Sequence, residues 1–350
     1  PGGTDDLVFQ LSQRWEQRKM QRFLTRTVAS IAMAFLIAIA GGCANSEGPA
    51  SSSGSSDTVT VISNFDYMGH HKEISFHQIP QRVIAARPEV LDVLLALHAE
   101  QNVCAAYMTR DQAGRIPELK KLMPNCQFFT NEIDRETALM LKPDFIVGWR
   151  WNFRKGSLGD VDFWNQRNVP TYIEENSGPV PAVDPFPPST VESEMQFMEN
   201  MGKVFHKEDE AQALVSDIKD TLREKESLAR QQGPRKAITV EFMGNKIEVF
   251  GDKLLPGDII RKLGCSNFNY EVPFITREEL RMSDADTIFV IYHGSHQDGL
   301  NALQNFSSPE FKDIPAVKKG KLVLLPYRYI CASNIYTAQC IKDIYAGLYE

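Results

Sequence analysis

The run from Lys207 to Gln232 constrains the chain more than any other. It carries Ala211, Leu214, Val215, Ile218 and Leu222 at spacings of three and four, with charge on the remaining faces. That pattern predicts one long amphipathic helix. Its first turn is acidic (Glu208, Asp209, Glu210), which suits the positive end of a helix dipole. Gly233-Pro234 then ends it. Runs of alternating strand and helix signals lie on either side. The expected architecture is α/β: two lobes hung from one stiff rod.

Bulk properties agree. The 350 residues, 43% of them hydrophobic, suffice for two domains that each bury a core. Lys and Arg number 38 against 45 Asp and Glu, a net charge of −7. That balance argues against a nucleic-acid or anionic-membrane partner, whose binding surfaces are basic. The six cysteines, at 43, 104, 126, 265, 331 and 340, form no CxxC pair, so neither a zinc knuckle nor a redox motif is indicated.

Residues 1–19 show no secretory or core pattern and are expected to be upstream sequence outside the mature protein. From Met20 the text changes to Arg22 and Arg26, an apolar run from Val28 to Ala40, then Gly41-Gly42-Cys43. A basic start, a short apolar stretch and small residues before a cleavage point predict a secretory signal over 20–42. The apolar run is shorter than the roughly 20 residues of an unaided membrane span. Ala40-Gly41-Gly42-Cys43 resembles a bacterial lipobox, which would make Cys43 the lipidated N-terminus. Residues 43–57, polar and rich in Ser and Gly, would be a flexible tether holding a folded body off the membrane.

The first lobe is expected over 58–188. It opens with a strand at Thr58–Ile62 and a hairpin through Asp66–Lys72. Strand signals follow at Arg82–Ala86, Val103–Tyr107, Asp144–Gly148 and Thr171–Ile173, with a helix at Pro88–His98. Such alternation predicts a parallel sheet covered by helices, with ligands meeting the loops at the carboxyl ends of the strands. Pro181–Pro188 is a proline-rich crossing, and Ser189-Thr190 caps a helix holding Met195, Phe197, Met198 and Met201. Connecting helices occupy 189–235. The second lobe, 236–350, repeats the alternation with strands at Ala237–Met243, Thr287–Tyr292 and Lys321–Tyr327 and helices at Gly257–Leu263 and Tyr336–Tyr349. The stretch Arg135-Glu136-(x)3-Met140-(x)3-Asp144-Phe145-Ile146 aligns without gaps on Arg277-Glu278-(x)3-Met282-(x)3-Asp286-Thr287-Ile288, which favours related halves.

Several pieces together carry a resemblance. The lipobox, Pro80-Gln81-Arg82-Val83-Ile84, a helix ending Leu94-Leu95-Ala96-Leu97, Leu141-Lys142-Pro143-Asp144-Phe145-Ile146-Val147, the long linking helix and Ile275-Thr276-Arg277-Glu278-Glu279-Leu280 resemble the substrate-binding lipoproteins of ABC importers for ferric siderophores, haem and cobalamin. The resemblance covers roughly 58–350. It implies a class III periplasmic-binding-protein fold with a shallow cleft between two lobes, little hinge motion and no catalysis. It implies a monomer without a cofactor, lipid-anchored outside the cytoplasm on the periplasmic side or the outer surface. Such a protein hands its ligand to an ABC permease and its ATPase. One acidic residue on each lobe docks on the permease: Glu278 matches in the second lobe, and Asp92 or Glu89 stands near the family position in the first.

For the cleft, the richest stretch is Trp149-Arg150-Trp151-Asn152-Phe153-Arg154-Lys155, directly after a strand. Aromatic faces there would stack on a corrin, porphyrin or catechol, and arginines would hold an anionic chelate by charge-assisted hydrogen bonds. Trp149, Arg150, Trp151, Phe153 and Arg154 are therefore candidates, with Tyr107 and Arg110 weaker ones on the same rim. From the second lobe come Phe274, Tyr292, His293, Tyr327, Arg328 and Tyr329. The pairs His293/His296 and His70/His71 lack an accompanying His/Asp/Glu cluster and read as solvated rather than as metal ligands. Cys331 and Cys340 are candidates for a disulfide.

The leading expectation is capture of a ferric siderophore-type complex, with a corrinoid or haem as the alternative cargo. A secreted α/β enzyme is a distant third, since no GxSxG elbow, P-loop, HExxH or nucleotide fingerprint is present. A zinc or manganese binder would need more than the seven histidines found.

Overall fold

Two sheets and a hairpin account for the strand signals. The computed structural model describes residues 59–177, 187–268 and 273–350. The signal, Cys43 and the tether expected over 20–57 lie outside the described residues, as does most of the proline-rich crossing. Strands β1 (Thr60–Phe65) and β2 (His71–Phe76) form an antiparallel hairpin. Its turn is closed by Asp66, whose carboxylate accepts from the N–H groups of Met68 and His70 at 2.8 and 2.9 Å. Buried Asn64 pins the hairpin to the neighbouring sheet through a pair of 2.8 Å bonds with the backbone of Ile173.

The first sheet follows as β3 (Val83–Ala85), α1 (Pro88–Ala96), β4 (Val103–Tyr107), α2 (Ile116–Leu122), β5 (Gln127–Phe129), α3 (Arg135–Leu141), β6 (Phe145–Gly148), α4 (Val161–Asn165) and β7 (Thr171–Ile173). Its order is β5-β4-β3-β6-β7, parallel throughout. Its central strands read as unbroken apolar runs because both faces are covered. Val83, Ala85 and Phe145 belong to one core, and Ile84, Ala105 and Ile146 to the other.

Thr190 caps α5 (Val191–Phe205) reciprocally with Ser193. The rod, α6, spans Glu208–Gln232, about 37 Å at 1.5 Å per residue. Gly202 lets it cross α5 closely: a Cβ there would stand 2.6 Å from that of Ala211. Ala211 and Leu214 join the first-lobe core. Farther along, the Lys225 ammonium lies 5.1 Å over Tyr345 of the last helix, and Tyr349 Oη donates to Gly233 O at 3.1 Å. One helix thus packs against both halves.

The second half comprises β8 (Lys236–Met243), β9 (Lys246–Val249), α7 (Leu255–Lys262), β10 (Ser266–Asn267), β11 (Phe274–Ile275), α8 (Arg277–Arg281), β12 (Thr287–Tyr292), α9 (His296–Leu303), α10 (Pro315–Lys318), β13 (Leu322–Pro326) and α11 (Thr337–Tyr349). The path β11-β9-β8-β12-β13 is parallel across β8, β12 and β13 but antiparallel at β9 and β11. The sequence reading did not anticipate that edge. Its cause is the two-residue turn Gly244-Asn245, where Gly244 takes φ 63°, a conformation natural to glycine in tight hairpins.

The aligned repeat has a structural meaning in both halves. Asp144 accepts the N–H groups of Gln81 and Arg82 at the start of β3, and Asp286 accepts that of Lys236 at the start of β8. Arg135 lies over Phe163 at 5.0 Å, and Arg277 over Phe311 at 4.7 Å. The repeated Arg, Asp and Ile hold their own lobes. Glu136, Met140, Glu278 and Met282 instead point to solvent, both methionines being 80% exposed.

Candidate functional site

Strand β3 ends at Ala85, and the residue that opens α1 is Arg87. Its side chain meets groups from both halves of the molecule. Glu89 lies 3.3 Å from Nε, Cys331 Sγ is 3.7 Å from Nη2, and the guanidinium sits 5.3 Å over the Trp149 ring. Burial works against its charge, yet Glu89, then Cys331, Glu174 and Tyr327, hold it above the ordinary arginine range. Arg87 thus joins Glu89 and Trp149 of the first half to Cys331 of the second. Sequence reasoning missed it, weighing clusters of cations above a single one at the end of a central strand.

The two halves are fastened beneath Arg87. Glu174 Oε2 accepts from Ser333 N at 2.7 Å, Glu194 Oε2 from Asn334 N at 3.0 Å, and Asn176 Nδ2 donates to Ile330 O and Ala332 O at 3.2 Å each. Glu174 Oε1 and Glu194 Oε1 are buried without a hydrogen-bond partner among the described residues. Burial raises both carboxyls, Glu174 well above the ordinary range and Glu194 to about 8. A carboxyl titrating at about 8 is mostly protonated at neutral pH, so Glu194 escapes the larger part of the cost of a buried charge, and the upward shift of Glu174 works in the same direction.

Of the predicted ligand residues, four gather around Arg87, His293 through Tyr327. Trp149 is half-buried, its Nε1 donating to Asn176 O at 3.2 Å. Tyr107, also half-buried, has its hydroxyl raised chiefly by burial, with Arg87 opposing. Tyr327 turns toward Arg87, and burial followed by Cys331 pushes its hydroxyl far up. His293 stacks on Tyr327 with centroids 4.0 Å apart and 29° between planes, and its Nε2 lies 2.9 Å from Glu241 Oε1. Phe274 stands farther along the same wall, in register with Glu248. The carboxylates Glu241 and Glu248 belong to this wall and were not foreseen.

The rest of the Trp149 stretch is corrected. Arg150–Phe153 is a turn of 3-10 helix, which sends successive side chains in different directions. Phe153 is 1% exposed in the core. Arg150 is buried, donates to Tyr67 O at 2.7 Å and lies over the rings of Tyr67 and Trp151. Trp151 packs edge-on against Tyr67 and Trp149. These three anchor the β1–β2 turn. Arg154 is exposed and pairs with Glu132 at 3.3 Å.

Arg328 and Tyr329 pack with Tyr336. Tyr329, 7% exposed, stacks on Tyr336 at 5.1 Å, and Arg328 covers both rings. Tyr292 neighbours Arg328, which opposes the rise that burial gives its hydroxyl. Asp92 and Glu89 cannot be surface docking groups. Asp92 is 1% exposed, paired with Arg115 and accepting from Tyr336 Oη at 3.3 Å; Glu89 is 3% exposed against Arg87. Only Glu278 of the three lies on the surface, with 81% of its side chain exposed. Cys331 and Cys340 are both free and buried, so the candidate disulfide between them is not formed. Among the described residues no three His, Cys, Asp or Glu side chains gather as a metal site.

Residues 83–329 match the family model for periplasmic binding proteins. The chain belongs to this family. Solved members share the fold. A periplasmic binding protein from Veillonella parvula is 23% identical, with 83% of this chain and 92% of that one aligned at a TM-score of 0.72. The periplasmic catecholate-siderophore binding protein VctP from Vibrio cholerae is 19% identical, with 82% and 100% aligned at 0.61. The periplasmic haem-binding protein RhuT from Roseiflexus is 15% identical, with 76% and 97% aligned at 0.56. A search of curated proteins finds no match.

Proposed function

We propose that this periplasmic binding protein captures a ferric siderophore-type complex in the cleft around Arg87 and delivers it to an ABC permease and its ATPase, without catalysing a reaction. One observation carries the reading: Trp149 and Tyr107 from the first half and Tyr327 from the second border a largely buried cation, with His293 stacked on Tyr327 and Phe274 farther along the same wall. Ring faces suit planar metal-chelating groups, and a guanidinium suits their oxygen donors. The fold neighbours named for catecholate siderophores and for haem support the same cargo class. Haem or a corrinoid is the second reading, favoured by the partly open rings of Trp149 and Phe274. Secretion and lipidation at Cys43 complete the picture, placing the protein as a monomer on the outer face of the cell membrane.

The docking groups are proposed to be Glu136 and Glu278. They hold equivalent positions on α3 and α8, they are exposed, and each stands one turn from an exposed methionine of the same repeat.

A tryptophan-fluorescence titration against ferric catecholate, ferric hydroxamate, ferric citrate, haemin and cobinamide tests the cargo. Saturable quenching by a ferric siderophore, weakened in Tyr327→Ala, is expected. A Soret band that saturates with haemin alone would move the cargo to haem, and no saturable response to any of them would remove the reading.

A further inference from the structure

The second-lobe wall of the cleft is acidic, in contrast to Arg87 opposite. Glu241 on β8 and Glu248 on β9 are register partners, so both carboxylates leave the same face of the hairpin. Like charges directly opposed across a strand pair destabilise it. His293 answers Glu241 at 2.9 Å, whereas Glu248 makes no ion pair or hydrogen bond among the described residues. Neither carboxylate is a freely solvated surface group. The Glu241 side chain is 12% exposed, and burial, then Glu241, raises Glu248 to about 7.

Aromatic rings flank the pair on both sides. Phe274 is the register partner of Glu248 on the next strand, and the Lys246 ammonium lies 5.3 Å over its ring. A cation of the chain itself therefore already occupies one of these faces. On the other side Tyr327 and His293 are stacked. Carboxylates beside aromatic rings accept the N–H groups of an alkylammonium, which gains an ion pair and ring contact together while losing part of its water.

We propose that this wall selects iron complexes bearing a free alkylammonium group, held at Glu248 and Glu241 between Phe274 and Tyr327. The inference rests on the cargo class proposed above and adds the charge that the cargo presents to the second lobe.

Ferrioxamine B, a ferric trihydroxamate with one pendant primary ammonium, and its N-acetylated form, the same chelate without that charge, are titrated into the full chain in detergent. Ferrioxamine B is expected to bind roughly tenfold tighter, the order of one partly desolvated ion pair with ring contact. Glu248→Gln should bring the ratio toward one, with Glu241→Gln as a second variant read the same way and circular dichroism confirming that each is folded. Equal affinities, or a preference that survives both substitutions, overturns the inference. Binding of ferric citrate or an uncharged ferric chelate but not ferrioxamine B overturns it while leaving the proposed function standing. Failure of every iron complex removes both.

Discussion

Glu174 accepts the backbone N–H of Ser333 at 2.7 Å across the seam between the two halves, and neither residue has any exposed surface. Glu194 does the same for Asn334, and adds Thr337 Oγ1 at 3.2 Å. The seam therefore rests on carboxyls whose titration burial shifts upward.

A pH dependence follows from Glu194. Burial lifts it from 4.5 to about 8. A carboxyl raised in the folded state contributes stability that is fully present below its unfolded value and is lost as pH rises through the folded one. The thermal midpoint should accordingly fall between pH 5 and pH 9, each unit of displacement being worth about 1.4 kcal/mol. Glu194→Gln keeps an oxygen facing Asn334 N but cannot ionise, so its midpoint should fall less steeply. Circular dichroism melts at the two pH values decide it; parallel slopes would refute the assignment.

Arg87→Met should cost about 3–5 kcal/mol of unfolding free energy in urea, the usual cost of stranding one partner of a buried ion pair. The substitution leaves Glu89, 3% exposed and 3.3 Å from the guanidinium, without its cation. The loss should shrink as pH falls, because burial raises the Glu89 carboxyl and favours its protonation. An unchanged urea midpoint at pH 8 would mean that Arg87 does not hold the seam.

The rod, the order of strands and the doubled Arg-Glu-Met-Asp-Ile text were legible because each is a local periodicity or a repeat within one segment. What escaped the sequence depends on partners far along the chain. Glu89 and Asp92 sit on the N-terminal turns of α1, where charge is ordinarily solvated, but Cys331 and Tyr336 arrive from the other half and bury that end. The Trp149 stretch read as one patch because its letters are contiguous, whereas a 3-10 turn divides it between cleft, hairpin anchor and core. The Gly244-Asn245 turn was a readable signal that went unused, and it would have revealed Glu241 and Glu248 as neighbours.

That division predicts different outcomes for neighbouring aromatics. Trp149→Phe should remove most of the fluorescence quenching produced by a bound iron complex, since Trp149 borders Arg87. Trp151→Phe should spare it, because Trp151 packs against Tyr67. Phe153→Ala should leave ligand affinity nearly unchanged but cost about 3–5 kcal/mol, the price of an aromatic deleted from a core. Loss of quenching in the Trp151 variant alone would reverse the placement of the two indoles.

Glu136 and Glu278 offer a test that separates transport from binding. Both lie in the first turn of equivalent helices capped by Asp134 and Thr276. Arg135 and Arg277 hold those helices in place through Phe163 and Phe311, so the acidic residues themselves carry no packing. Exposed ion pairs contribute about 0–1 kcal/mol to a fold, and the contact of Glu278 with Arg281 is long at 4.0 Å. Reversing both charges, Glu136→Lys with Glu278→Lys, should therefore leave the melting temperature within a few degrees and the ligand Kd unchanged. Uptake of a labelled ferric complex by cells carrying the cognate permease should drop at least tenfold, because rim charges in an interface govern encounter and register. Each single reversal should give an intermediate loss. Normal uptake by the double variant would place the docking surface elsewhere, and a loss of ligand affinity would show that these helices belong to the cleft.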